Sequence, residues 1–213
     1  DNISKYPAIE LLCKLGFEYI SPEDCMAQRG TLYDVLLKDI LRKQLNAINQ
    51  FEFGGIIYKF TADNVEKAIK DLDEPLTDGL VRTSEKIYSA LMLGKSYLEK
   101  LADGTSKSFN LKYIDWEHPE NNVYHVTEEF SCDSWDKQKT ARPDIVLFIN
   151  GIPFAVIECK APTIDVDQAI EQTVRNQNKD YIIIVRNKYL LSNYEDNKKS
   201  LEYLYNKINK RKD

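Results

Sequence analysis

Three ionisable side chains lie at the ends of two apolar segments in the second half of the chain. Segment 154–160 is apolar until its end, where Glu158 and Lys160 stand two residues apart. Successive side chains of a strand point to opposite faces, so these two share a face. Asp144 begins the preceding apolar segment, directly after Pro143. Charged groups at the ends of buried strands are costly unless they are paired or functional, so these residues form the first candidate site.

Two carboxylates and an amine suit a divalent cation that acts on a phosphate group. Mg²⁺ is typically bound by one or two carboxylates, together with waters and phosphate oxygens. Asp144 and Glu158 are therefore the predicted metal ligands, and the metal would generate a hydroxide nucleophile and neutralise the leaving oxygen. Lys160 would hold the attacking water or stabilise charge on the phosphate. This set of residues predicts metal-assisted hydrolysis.

The turn between the two segments decides whether Asp144 and Glu158 meet. Asn150-Gly151 is a strong β-hairpin signal. A regular hairpin with this two-residue turn would place Asp144 opposite Ile157, with Glu158 on the other face of the sheet. A three-residue loop or a β-bulge would bring the two carboxylates to the same face. Binding of one metal ion by both carboxylates therefore requires a loop with an odd number of residues or a β-bulge. A regular two-residue hairpin would rule out this metal site.

The elements that must position these residues follow a helical first half. Apolar periodicity predicts helices over residues 9–16, 31–48, 63–70 and 84–101. From residue 111 the pattern alternates, and it predicts strands over residues 123–127, 144–149, 154–160 and 181–185, with helices over 165–179 and 198–210. The prediction is an α/β domain with a mixed sheet flanked by helices, in which residues 1–110 are mainly helical and residues 111–213 form the α/β core.

Composition restricts the class of protein. The chain has 213 residues, of which 43% are hydrophobic, and only 8 are Gly and 7 Pro, which excludes disorder as the main state. A net charge of −5 argues against nucleic-acid binding over the whole surface, so any DNA contact should be local or supplied by a partner. Four dispersed cysteines without a CxxC pair are typical of reduced thiols in the cytoplasm, and the spacing of His118, His125 and Cys132 does not suit zinc.

The residues around the candidate site resemble a known nuclease motif. Pro143-Asp144, followed after thirteen residues by Glu158-Cys159-Lys160, is similar to the PD-(D/E)xK motif, and the predicted strand–strand–strand–helix–strand order matches that fold. Residues 142–162, RPDIVLFINGIPFAVIECKAP, closely resemble the N-terminal nuclease domain of type I restriction enzyme R subunits. Three further segments fit the same family: residues 113–116, Asn121-Asn122 and residues 168–177.

This resemblance implies an endonuclease domain that cleaves double-stranded DNA. By the family's pattern Asp144 and Glu158 would bind Mg²⁺, and Lys160 would be the catalytic lysine. The chain would be a piece of a longer polypeptide that carries an ATP-driven translocase. Its partners would be double-stranded DNA and the modification and specificity subunits of the restriction complex, in the cytoplasm and without a membrane.

Two accessory positions follow from the same resemblance. The family often carries a Gln-xxx-Tyr element in the helix after the motif, and Gln172 is the candidate glutamine. Asn176 stands where the tyrosine is expected, and Gln177 with Tyr181 is the alternative spacing. Related nucleases place a glutamate on the first helix near the metal, for which Glu10 is the candidate.

Other interpretations of the same sequence stay open. The chain could be a catalytically silent docking module of the same complex, or a stand-alone nuclease that acts in DNA repair or on junctions. Lys137, Lys139 and Arg142 follow an acidic stretch and mark either a DNA-facing edge or a solvated loop.

Overall fold

The structure is a computed structural model that describes residues 2–73, 80–133 and 140–159. The helices in these ranges are α1 (Asn2–Lys14), α2 (Pro22–Arg29), α3 (Lys38–Ile48), α4 (Ala62–Leu72) and α5 (Leu80–Leu93), with a 3₁₀-helix at Pro119–Asn121. The strands are β1 (Glu18–Tyr19), β2 (Phe51–Phe53), β3 (Ile56–Tyr58), β4 (Lys95–Lys100), β5 (Ser106–Leu111), β6 (Tyr124–Glu128), β7 (Cys132–Asp133), β8 (Thr140–Ala141), β9 (Ile145–Ile149) and β10 (Ile152–Ile157). The predicted elements over 165–179, 181–185 and 198–210 lie outside the described residues.

The central element is a mixed four-stranded sheet in the order β1-β6-β9-β10. β1 runs parallel to β6, whereas β6, β9 and β10 form an antiparallel meander. β2 pairs with β3, β4 with β5, and β7 with β8 in separate two-stranded sheets. The predicted mixed α/β architecture is confirmed, and β6, β9 and β10 correspond to the first three strands predicted for the core. None of the helices in the described ranges has the length and apolar character that a membrane span needs.

Helices cover both faces of the sheet. On one face α1 packs through Ile9 against Val126 and Ile145. On the other face α2 packs through Cys25 against Val146 and Phe148. Successive apolar side chains of β9 thus pack alternately into the two layers, as expected for a strand that is buried on both sides.

The helix predicted over residues 31–48 is wrong in its first part. α3 begins at Lys38, although Val35 lies fully buried in the preceding segment. The buried guanidinium of Arg29 donates to the carbonyl oxygens of Leu32 (2.9 Å) and Asp34, which would otherwise accept helical hydrogen bonds. An apolar pattern does not reveal that the Arg29 side chain, three and five residues before these acceptors, occupies them.

The helix predicted over residues 84–101 is also wrong in its second part. α5 ends at Leu93, and Gly94 adopts φ +75° before β4 begins. A left-handed glycine directly after a helix is a common stop. Tyr97 and Glu99 are buried whereas Leu98 is 62% exposed, so burial alternates with a period of two residues, as in a strand. The first half therefore carries two hairpins, β2–β3 and β4–β5, in addition to its helices.

The turn between β9 and β10 is held by both neighbouring layers. Asn150 and Gly151 both have positive φ, 54° and 80°, as a tight two-residue hairpin turn requires. The Asn150 side chain accepts from the Val123 N–H (2.9 Å) and donates to Asn122 Oδ1 (2.7 Å). The Gly151 carbonyl accepts from the Leu37 N–H at the start of α3 (2.9 Å). The turn is thus fixed against α3 and the segment before β6.

Replacing Gly151 with Ala is expected to destabilise the chain by about 3 kcal/mol. A Cβ at this position would lie 2.6 Å from the Leu37 oxygen and 3.0 Å from the Leu41 nitrogen, both of them backbone atoms. The overpacking adds to the cost of the left-handed conformation. Gly104→Ala is the matched control, because Gly104 has φ +83° with nothing within 4 Å of the added Cβ. Urea unfolding measures both variants, and equal losses would contradict the close packing at Gly151.

His125 is a buried histidine on β6. Its side chain is 8% exposed, Nδ1 has no partner in the described part of the chain, and Nε2 lies 3.7 Å from the Glu18 carboxylate. Burial lowers the pKa of His125 below its ordinary value, and the negative charge of Glu18 opposes this only in part. The folded chain therefore takes up this proton less readily than the unfolded chain.

The free energy of unfolding should consequently fall as the pH drops below about 6.5, the pKa of an unfolded histidine. The loss should approach ~1.4 kcal/mol per pH unit until the folded chain is itself protonated. His125→Gln should flatten this dependence between pH 6.5 and 5.5, as measured by urea unfolding. His118→Gln is the control, since the chain has only 2 histidines and His118 is 65% exposed. If both variants keep the wild-type slope, His125 is not its source.

Candidate active site

A β-bulge on β10 sets the relation between Asp144 and Glu158. Ile152 pairs with Ile149 across the turn, but the register shifts between Pro153 and Ala155, and from there Ile157 pairs with Ile145. This register, continued by one residue beyond the two strands, would place Asp144 opposite Glu158. The predicted departure from a regular hairpin is confirmed, and it takes the form of a bulge after a two-residue turn.

The sequence at the bulge explains its position. Pro153 has no N–H to donate to the ladder, which weakens regular pairing at this point of the strand. The extra residue is Phe154, whose ring packs against the core with its centroid 6.4 Å from that of Trp116. An additional residue on one strand also bends it and increases its twist. The proline and the packing of the half-buried Phe154 ring therefore favour the bulge here.

Asp144 joins the two strand ends through hydrogen bonds. Its Oδ2 accepts from the Cys159 N–H at 2.7 Å, and its carbonyl accepts from the Glu129 N–H at 3.0 Å. Asp144 and Glu158 are both half-buried. The Cys159 contact fixes one carboxylate oxygen of Asp144 beside the backbone that carries Glu158.

The alternation of side chains places both carboxylates on one face of the sheet. Val146 and Val156 belong to the layer that packs against α2. Asp144 and Glu158 stand two residues beyond them on their respective strands, so an extended chain directs them to the same side. α1 packs on the opposite face.

Cys159 contributes its backbone and not a thiolate. Burial raises the pKa of the Cys159 thiol, and the neighbouring negative charge of Asp144 raises it further. The thiol is therefore neutral near pH 7. In the described ranges no three His, Cys, Asp or Glu side chains are grouped so as to hold a metal ion. The donor set on these residues is thus a pair of carboxylates, which fits the one or two that Mg²⁺ takes from proteins.

A second group of charges lies beside this pair. Lys5 of α1 reaches Glu128 (2.9 Å) and Glu129 (2.6 Å), and Arg142 Nε forms an ion pair with the other oxygen of Glu129 (2.9 Å). Lys5 is buried, and its hydrogen bond to Glu129 holds its pKa well above the usual value although burial acts in the opposite direction. Lys5 is therefore charged, and α1 is bound to the end of the sheet at which Asp144 lies.

The chain is similar to proteins of a known family. Residues 1–192 match the family model described as "Type I restriction enzyme R protein N terminus". The chain belongs to this family. It is 30% identical over 168 residues to the putative type I restriction enzyme MjaIXP endonuclease subunit of Methanocaldococcus jannaschii, a match that covers 76% of this chain and 15% of that protein.

Two further relatives of this R-protein N terminus come from bacteria. The type I restriction enzyme HindI endonuclease subunit of Haemophilus influenzae is 26% identical over 180 residues, covering 81% of this chain and 16% of that protein. The type I restriction enzyme SsaAORF53P endonuclease subunit of Staphylococcus saprophyticus is 31% identical over 129 residues, covering 58% of this chain and 13% of that protein. The chain spans about a sixth or less of the length of these relatives.

The structure of this R-protein N terminus places some of the predicted site residues and not others. It brings Asp144 and Glu158 onto neighbouring strand ends, whereas Lys160 and Gln172 lie outside the described residues. Glu10 is exposed on α1 and pairs with Lys14 at 2.6 Å, which lowers the pKa of Glu10. Its role at the metal stays a prediction without support from this contact.

Sequence analysis missed Lys5 and Glu129 as neighbours of the site. Glu128-Glu129 ends an apolar strand just as Asp144 begins one, and that signal was available in the sequence. The contact of Glu129 with Lys5, 124 residues earlier in the chain, was not. Glu129 also has φ +52°, which sequence alone does not indicate for a non-glycine residue.

Proposed function

We propose that this chain is the Mg²⁺-dependent endonuclease domain of a type I restriction enzyme R subunit. It cleaves phosphodiester bonds of double-stranded DNA within a complex driven by an ATP-dependent translocase. The observation that carries the proposal is the bulge at Phe154, which sets Asp144 against Glu158 across two neighbouring strands.

Each residue of the proposed site has a separate task. Asp144 and Glu158 would hold Mg²⁺, which activates water and neutralises the leaving oxygen when bound. The Cys159 N–H fixes Oδ2 of Asp144, so the orientation of this carboxylate is set before any ligand arrives. Lys160, two residues beyond Glu158, would stabilise charge on the phosphate. This arrangement corresponds to the PD-(D/E)xK motif in the sequence.

The partners in this proposal are double-stranded DNA and the modification and specificity subunits. The relatives are about six times longer than the matched region, which leaves room for a translocase that consumes ATP. A chain with a net charge of −5 is suited to weak, salt-sensitive DNA binding on its own. The rest of the complex would therefore deliver the duplex to the site.

The experiment that tests this function is Glu158→Gln in the full-length subunit assembled with its partners. Loss of DNA cleavage with an intact fold and continued ATP hydrolysis is the expected result. A variant that still cleaves DNA at the normal rate would instead favour a docking module.

A further inference from the structure

Arg142 stands two residues before Asp144, a chain distance of at most about 7 Å. Its side chain is 67% exposed, and Nε forms an ion pair with Glu129 at 2.9 Å. Among the described residues its two terminal nitrogens donate no hydrogen bond. A guanidinium carries five N–H donors in a fork that matches phosphate oxygens, so the donors that face solvent remain available.

Arg42 shows the contrasting arrangement of an exposed arginine. Its Nε and Nη2 bind Glu66 and its Nη1 binds Asp39, so all three nitrogens are engaged in ion pairs. Arg42 lies on α3. An exposed arginine elsewhere on the chain thus has its donors satisfied within the protein, whereas Arg142 beside the candidate site does not.

Glu129 holds Arg142 in place without cancelling its charge. One oxygen of Glu129 accepts a hydrogen bond from Lys5 and the other forms an ion pair with Arg142, so two cations share this carboxylate. The Glu129 N–H donates to the Asp144 carbonyl at 3.0 Å. The ion pair with Glu129 therefore holds the guanidinium near the backbone of Asp144.

DNA at this site requires a local cation. Asp144 and Glu158 repel phosphates, and the chain as a whole is negatively charged. We propose that Arg142 binds a DNA backbone phosphate next to the scissile bond, and that Glu129 positions it. This proposal rests on the proposed nuclease function. It adds a residue that contacts the DNA backbone and does not recognise the base sequence.

The test uses the full-length R subunit assembled with its partners, with cleavage and ATP hydrolysis measured on the same DNA. Arg142→Ala is expected to lower the cleavage rate about 10- to 100-fold, the effect of losing a charge-assisted hydrogen bond, with ATP hydrolysis unchanged. The slope of the logarithm of the cleavage rate against the logarithm of the salt concentration should become shallower by about the amount that one phosphate contact contributes. Arg142→Lys should retain the salt dependence and part of the rate.

Two further variants separate a local contact from a general effect of charge or folding. Arg42→Ala removes an equally charged exposed side chain and should leave cleavage unchanged. Glu129→Gln should lower the rate while retaining the salt dependence, because the phosphate contact remains but is less well oriented. Equal losses for Arg142→Ala and Arg42→Ala, or an unchanged salt dependence in Arg142→Ala, would overturn the proposal.

The outcome with Glu158→Gln distinguishes the two levels of inference. If Glu158→Gln is inactive while Arg142→Ala cleaves normally, the phosphate contact is wrong and the nuclease function stands. If Glu158→Gln cleaves normally, both are wrong, since there is then no site for Arg142 to serve.

Discussion

Glu158→Gln is expected to lower DNA cleavage by the assembled enzyme at least about a hundredfold, since a catalytic metal contributes several kcal/mol to the barrier. The substitution keeps the size of the side chain but replaces a charged metal ligand with a neutral amide. Because the amide has the size of the carboxylate that it replaces, the variant should stay folded. Cleavage assays, Mn²⁺ binding measured by calorimetry, and thermal unfolding followed by circular dichroism provide the three measurements.

Glu117→Gln is the matched control for this substitution. Glu117 is 76% exposed and pairs with Lys112, so its loss should change neither cleavage nor Mn²⁺ binding. If Glu158→Gln loses Mn²⁺ binding but still cleaves DNA, the metal at this position is not catalytic. If it retains both, the assignment of Glu158 is wrong.

Inserting one alanine between Ala155 and Val156 is expected to abolish cleavage as completely as Glu158→Gln. The insertion moves Glu158 one position along β10, and a shift of one residue turns a side chain to the opposite face of the sheet. Asp144 would then lie opposite Ile157. The exchange of faces should be tolerated by the fold, because Val156 and Ile157 are both apolar and half-buried. Cleavage and Mn²⁺ binding should therefore be lost in a folded protein.

Deleting Phe154 should have the opposite outcome. The bulge disappears, but Ala155 still pairs with Leu147 and Ile157 with Ile145, so Glu158 remains opposite Asp144. The variant should retain most of its cleavage while losing about 2 kcal/mol of stability, less than the ~3–5 typical of a fully buried ring. A folded insertion variant that cleaves normally, or a folded deletion variant that does not, would show that strand register does not control the site.

Several features of the site follow from the sequence because they depend on local patterns. The alternation of apolar residues predicted β6, β9 and β10 to within a few residues at each end. Asn150-Gly151 predicted the turn, since few residue pairs adopt two consecutive positive φ angles. The expected bulge followed from the number of residues between Asp144 and Glu158. With that number, a regular two-residue hairpin cannot place both side chains on the same face of the sheet.

Other features could not be read from a local pattern. The helix predicted to begin at Thr31 begins at Lys38, because Arg29 binds backbone oxygens that a helix would need. The helix predicted to continue to Leu101 ends before Gly94, where a tertiary contact matters too: a Cβ there would lie 2.6 Å from the Leu111 oxygen. Arg29 also donates to the distant Ser131 carbonyl oxygen at 2.9 Å, so in both places tertiary packing outweighs a helical period that is compatible with the sequence.

The amino-acid sequence by itself determined the family, the identity of the proposed ligands Asp144 and Glu158, and the condition that their strands must meet out of regular register. These are properties of residue type and spacing along one short segment. Only the tertiary structure decided how that condition is met, through a bulge at Phe154 stabilised by packing near Trp116. It alone also decided that Lys5, from the first helix, shares Glu129 with Arg142 beside Asp144. The reason is physical: Lys5 and Glu129 lie 124 positions apart in the chain, and their contact forms only when α1 and the sheet pack together.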